Sequence, residues 1–171
     1  MRPRPSHTFP YFEIDHKIFS RMRGRFDRTS GTLSIDLKER RGAVDIVIDT
    51  ASISTGEPAI DKHLRTADFF DVAKFPTMRF KSDKLVFDGD KLVRADGELT
   101  MLGVTQPVTL SFNKFTCGDD PLYKKYYCGG DASTTIKRSE YGLNAYLNGG
   151  LGNEVKVMIQ VEAARGPKAG L

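Results

Sequence analysis

Apolar and polar residues alternate with a period of two along most of this 171-residue chain, and in one stretch the alternation stops. Successive side chains of a strand point to opposite faces, so each alternating segment is committed to a strand with one apolar side. Phe12, Ile14 and His16 share one face, with Tyr11, Glu13 and Asp15 on the other. Met22, Gly24 and Phe26 stand opposite Arg21, Arg23 and Arg25. The pattern returns with Leu33, Ile35 and Leu37, with Val44, Ile46 and Ile48, and with Met78 and Phe80. It continues with Val108, Leu110 and Phe112 and closes with Val155, Val157, Ile159 and Val161. Thr29-Ser30-Gly31, Arg40-Arg41-Gly42, Asp88-Gly89-Asp90 and Gly103 through Gln106 read as turns. Roughly eight strands joined mostly by short turns predict an all-β fold, an eight-stranded antiparallel up-and-down barrel. A two-sheet sandwich is the alternative, but it leaves edges that closure removes.

The break lies between Ser54 and Pro76. Ser54 and Glu57 have the spacing of a capping box at a helix start. Ile60, Leu64 and Ala67 then form an apolar stripe, with Asp61, Lys62 and Arg65 toward water. One helix is thus inserted in a strand protein, followed by the run Asp68-Phe69-Phe70-Asp71. A barrel with a lid suggests a chamber. The face made of Val93, Ala95, Gly97 and Leu99 is small enough to leave room in an eight-stranded barrel; the same face also suits close packing under the helix. A chamber walled by such residues suits a hydrocarbon. Burial contributes about 0.8 kcal/mol per methylene and association costs about 4–15 kcal/mol, so a useful ligand needs roughly 16 carbons or more.

Length and composition fit one domain, expected over residues 6–163, with a disordered tail at 164–171. No apolar run reaches the ~18–20 residues that span a bilayer as a helix. The opening Met-Arg-Pro-Arg-Pro has the charge of an export signal without its apolar core, so the chain reads as cytosolic or as a mature exported protein. Cys117 and Cys128 flank a ten-residue loop between two strand-like segments. That placement allows a disulfide at the neck of a hairpin; it also admits two reduced thiols. The disulfide is the adopted reading and points to an oxidising compartment such as a periplasm.

The net charge of +4 favours anionic partners or transient contact with an anionic membrane surface, and is too weak to indicate nucleic acid. Aromatics do not interleave with Arg21, Arg23 and Arg25 as a base-stacking platform requires, so this stripe reads as a solvated outer face. The three histidines, His7, His16 and His63, form no metalloprotease motif, and Gly-x-Ser-x-Gly is absent. A hydrolytic set of His63, Asp68 and Ser82 can be assembled on paper. Arg138 follows Ala132, Thr134 and Ile136 in alternation, which points it inward, either to an anionic head group or to a carboxylate such as Glu140. No metal site and no cofactor are expected.

The segments SHTFPYFEIDH, RGRFDRTSGTLSID, IDTASIST, HLRTADFFDVAKFPTMRF, GELTMLGVTQPVTL and IKRSEYGLN, in this order from Ser6 to Ala163, resemble the YceI-like polyisoprenoid-binding family. The resemblance implies a lipocalin-like barrel of eight antiparallel strands with a helix, enclosing a long apolar ligand. It implies an exported, often periplasmic protein, a homodimer in some members, and ligands such as polyprenyl diphosphates, isoprenoid quinone-like molecules or long-chain amides. The spacing of Cys117 and Cys128 is similar to that in one periplasmic branch. The run HKIFSRMRG departs from the family pattern at the barrel mouth. The resulting expectation is a non-catalytic periplasmic carrier of a polyisoprenoid, an isoprenoid quinone-like molecule or a long acyl lipid. Its tail would lie against Phe12, Ile14, Phe26, Leu33, Ile35, Val44, Ile46, Ile48, Val93, Ala95, Leu99, Phe112, Val157 and Ile159. Phe69 and Phe70 would cover it, and Arg138 or His16 would meet its head. A secreted hydrolase with a histidine-centred site is the alternative.

Overall fold

Strand alternation becomes a single curled antiparallel sheet in the computed structural model, which describes residues 1–165. In chain order the strands are β1 (Arg2–Pro3), β2 (Phe9–His16), β3 (Ser20–Phe26), β4 (Thr29–Asp36), β5 (Arg41–Asp49), β6 (Ile53–Ser54), β7 (Thr77–Asp88), β8 (Lys91–Met101), β9 (Val104–Asp120), β10 (Lys125–Lys137) and β11 (Leu151–Ala164). The helix α1 (Pro58–Leu64) lies between β6 and β7. The hydrogen-bonded order is β4-β5-β7-β8-β9-β10-β11-β2-β3-β6. β1 pairs with β11, and the Met1 carbonyl accepts from the Leu33 amide of β4, so the N-terminal residues bridge the sheet's two flanks. The barrel-like all-β class with one helix is as expected. The strand count differs slightly: among the described residues nine long strands stand where roughly eight were expected, with two more of two residues, too short to carry a periodicity.

Turn chemistry corrects several boundaries. Gly31 is not in a turn but inside β4, at φ 131°, where an added Cβ would stand 2.0 Å from the Asp45 carbonyl oxygen. Glycine serves close strand approach there. The tight β8–β9 hairpin turns at Leu102 and Gly103, both with positive φ (53° and 74°), as a two-residue hairpin loop requires. The Gly89-Asp90 turn falls where expected.

The break in alternation folds as a lobe closed at its base. The Thr50 amide donates to the Pro76 carbonyl and the Thr50 hydroxyl to the Phe75 carbonyl. The expected Ser54 cap does not form, since Ser54 pairs with Arg25 in the sheet. Glu57 caps α1 instead, its carboxylate accepting from the Ala59 amide, with Pro58 opening the first turn. Arg65 fastens the far end of α1 by donating to the carbonyls of Ala51 and Ile53.

Two buried clusters form. One gathers Leu33, Val44, Phe80, Ala95, Leu110 and Ala163. The other lies at the α1 end around Phe26, Ile48, Ile53, Met78, Met101 and Tyr141. Outside, Arg21, Arg23 and Arg25 of β3 stand opposite Asp15, Glu13 and Tyr11 of β2. Arg21 pairs with Asp15 and Arg23 with Glu13 across the strands, and Arg25 with Asp27 just past the end of β3, so the stripe is a surface array of ion pairs. The expected tail at 164–171 falls, from residue 166, outside the described residues.

Candidate functional site

The inward faces of the curled sheet do not meet. They enclose a cavity of about 710 Å³. At roughly 30 Å³ for a methylene-sized group, the share of one water molecule in the liquid, this holds on the order of 20 such groups. Of the residues that line it, Lys17, Ala59, Tyr146 and Gly149 are exposed. They come from the β2–β3 turn, α1 and the segment joining β10 to β11, so the mouth opens at the α1 end.

Sixteen of the eighteen ligand-site residues expected from sequence line this chamber. Phe12, Ile14 and His16 come from β2, Phe26 from β3 and Leu33 from β4. Val44, Ile46 and Ile48 come from β5, Ala95 and Leu99 from β8, and Phe112 from β9. Val157 and Ile159 come from β11, and Arg138 follows β10. Phe69 and Phe70 close the wall below α1, where Phe70 meets Phe26 edge to face at 5.4 Å.

Two residues are corrected. Ile35 packs against the cluster around Leu33 rather than on the chamber wall. Val93 faces outward and is 36% exposed. Val86 pairs with Arg94 and Phe87 with Leu92, so Val93 is the extra residue of a β-bulge, and Leu92 turns inward in its place. The small size of Gly97 also has another cause than roominess: a Cβ there would lie 2.3 Å from the Lys81 carbonyl oxygen.

Sequence reasoning missed Met78, Phe80, Met101, Val108, Leu110, Ile136, Val155 and Val161 as liners, although alternation had already placed most of them inward. It also missed Phe115. Asp131 pairs with Lys114 and Ala132 with Phe112, leaving Asn113 as a bulge that lets Phe112 and Phe115 face the same chamber. The aromatic rim was missed as well. Phe69 stacks on Tyr146 at 6.0 Å, and the His63 ring meets Phe69 at 5.1 Å and Tyr146 at 6.1 Å. No periodic signal connects Tyr146 to α1.

The ionisable nitrogen groups on the wall, His16, Lys17, His63 and Arg138, all lie toward the mouth; no Asp or Glu lines the chamber among the described residues. Arg138 is the best buried, at 2% exposure. It makes no bridge to Glu140. Its Nε donates to the Gly152 carbonyl at 2.6 Å, Nη1 to those of Leu143 and Ala145 at 2.8 Å each, and Nη2 to Leu151 at 3.0 Å. Burial pushes its pKa down, yet a guanidinium stays cationic at neutral pH. Four of its five N–H groups are therefore spent holding the β10–β11 segment, which forms one lip of the mouth.

The hydrolytic set does not assemble. His63 Nε2 lies 3.0 Å from Asp68 Oδ2, but the Ser82 hydroxyl donates to the Asp96 carbonyl at 2.7 Å and does not line the chamber. No cluster of three metal-ligating side chains occurs among the described residues.

Tyr141 is 1% exposed and its hydroxyl has no hydrogen-bond partner among the described residues. Burial, with the charge of Glu140 adding, pushes its pKa up to about 12. The unfolded chain gives up this proton near pH 10 and the folded one only near 12, so stability is full below pH 10 and falls by about 2–3 kcal/mol as pH rises through that window. Tyr141→Phe is expected to raise stability at pH 7 by about 1 kcal/mol and to flatten that decline. Urea unfolding at pH 7, 10 and 11.5 checks both; an equally steep decline in the variant would refute the assignment.

On the β9–β10 hairpin, Cys117 and Cys128 face each other across the two strands and form a disulfide with a Cα–Cα distance of 4.0 Å. The adopted reading of the two cysteines holds.

Comparison with known proteins places this architecture. Residues 2–163 match the YceI-like domain. Protein YceI of Escherichia coli is 38% identical over 160 residues, covering 93% of this chain and 82% of its own length. A UPF0312 protein of Pseudomonas aeruginosa is 36% identical over the same shares of both chains. The crystal structure of the Campylobacter jejuni YceI protein has 25% identity and a TM-score of 0.73, over 90% of this chain and 91% of that one. A polyisoprenoid binding domain from Saccharophagus degradans shares the fold, with a TM-score of 0.72 at 18% identity over 97% and 98% of the two chains. With the domain matched from residue 2 to 163 and relatives well above 30% identity along 93% of its length, this protein belongs to the YceI-like family.

Proposed function

We propose that this protein is a non-catalytic, exported carrier that holds one long apolar lipid inside its barrel, a polyisoprenoid, an isoprenoid quinone-like molecule or a long acyl chain. The observation that carries this reading is the apolar chamber of about 710 Å³, open at one end. Filled by about 20 methylene-sized groups at ~0.8 kcal/mol each, it gains roughly 16 kcal/mol, enough to meet the upper range of association costs. A short acyl group does not. The cationic and imidazole groups near the mouth favour a head that carries negative charge or accepts hydrogen bonds. The polyisoprenoid named for the Saccharophagus degradans domain is consistent with this ligand class. The disulfide supports a periplasmic setting, since such bonds persist in oxidising compartments.

Organic extraction of the purified protein, combined with native mass spectrometry, tests the proposal. The expected result is one lipid of about 16 carbons or more per chain, lost on extraction. A chain that shows only its own mass and refuses added long-chain lipid would refute it.

A further inference from the structure

We propose that the hairpin tip Lys17–Phe19 docks on the surface of an anionic bilayer and seats the mouth of the chamber against it. The inference rests on the chamber being a lipid site. Ile18 and Phe19 are 93% and 78% exposed, an unusual state for two adjacent large apolar side chains at the apex of a turn. Lys17, just before them, lines the mouth itself. Its backbone is held in the left-handed region at φ 54°, which costs energy for a lysine, by the hydrogen bond its amide donates to the Gly150 carbonyl. The tip is thereby fixed with its apolar pair directed away from the barrel.

The adjoining lip, which Lys17 touches through Gly150, is complementary. From Gly142 to Asn153 the chain carries no ionisable acid or base apart from the phenol of Tyr146. Tyr146 is 55% exposed and lines the same mouth. An aromatic with a polar end, two apolar side chains and a lysine beside this uncharged lip is the composition that settles at the headgroup boundary. Arg21 and Arg23 behind the tip are paired with Asp15 and Glu13, so the attraction at an anionic surface comes from Lys17.

Size argues against a protein partner. At no more than roughly 150–250 Å² per large side chain, Ile18, Phe19 and Tyr146 together stay below the ~800 Å² per partner of a stable interface. Shallow insertion into a bilayer needs no such area. It also gives the lipid a path that avoids water; each methylene exposed to water on the way slows transfer roughly fourfold.

Flotation of the full chain with vesicles of phosphatidylethanolamine and phosphatidylglycerol, against pure phosphatidylcholine, tests the tip. The Ile18→Asp/Phe19→Asp double variant is expected to bind the anionic vesicles at least about tenfold more weakly. Leu122→Asp, at the apolar tip of the β9–β10 hairpin, is the control and should bind as the wild type does; Leu122 is 77% exposed. Thermal unfolding and extracted lipid content should be unchanged in the double variant, because neither side chain touches the chamber. Failure of the wild type to float, equal flotation of the double variant, or a double variant that is monomeric where the wild type self-associates would overturn the proposal. Extraction reads the chamber and flotation reads the tip. An empty chamber with tip-dependent flotation therefore overturns the carrier reading alone.

Discussion

Arg138→Met is expected to destabilise the protein by about 3–5 kcal/mol, the largest loss from any single side chain near the mouth. The guanidinium donates to four carbonyls, those of Leu143, Ala145, Leu151 and Gly152. Methionine fills the space but donates nothing. An acceptor left unsatisfied after burial costs about 1–3 kcal/mol, and water recovers only part of that at the rim. For a chain of this size the loss corresponds to about 2–4 °C in Tm per kcal/mol. Hydrogen exchange should show residues 142–150 losing protection first, because this segment is fastened through the side chain rather than by a strand ladder. Arg138→Lys should recover only part of the stability: one ammonium cannot reach four carbonyls spread over ten residues. A methionine variant within 1 kcal/mol of the wild type would remove Arg138 from this role.

The second large effect concerns the chamber. Thr134 on β10 and Val157 on β11 are opposite in register and both line it. In the Thr134→Phe/Val157→Phe double variant, two rings project into the middle of the space. Displacing about six carbons of ligand forfeits roughly 5 kcal/mol, a loss of more than a thousandfold in affinity. Stability should hold or rise, since filling an apolar cavity restores missing contacts. Lipid recovered per chain by extraction, set beside Tm, separates the two effects. Retention of lipid at the wild-type ratio would place the ligand elsewhere.

Much of the chamber was legible because strand alternation is a local property. Phe12, Ile14, Val44, Ile46, Ile48, Val157 and Ile159 face inward as their own neighbours dictate. The errors sit where alternation is interrupted. Val93 was assigned to the wall because a continuous strand puts it on the face of Ala95, whereas the bulge turns it out and Leu92 in. Phe115 escaped notice for the mirror reason, since the bulge at Asn113 brings it onto the face of Phe112. A bulge depends on what the partner strand allows, which no single strand reveals. The helix cap failed similarly. Ser54 has the spacing to cap α1, but the sheet claims it through Arg25 and Glu57 takes the position.

The sequence by itself determined the class: period-two alternation, short turns and one interrupted stretch admit little besides an antiparallel sheet curled around its apolar faces, with a helical lobe. It also determined most of the wall, since side-chain direction in a regular strand follows from the backbone alone. Tertiary structure decided the rest. Whether the inward faces meet as a packed core or stand apart around a chamber depends on the curvature of the whole sheet, to which every pairing register contributes. The role of Arg138 was decided there too. Alternation turned it inward, but only the fold brought four carbonyls of the β10–β11 segment to its guanidinium and made an expected head-group contact the support of the mouth. Long-range closure sets such contacts, and local pattern does not encode it.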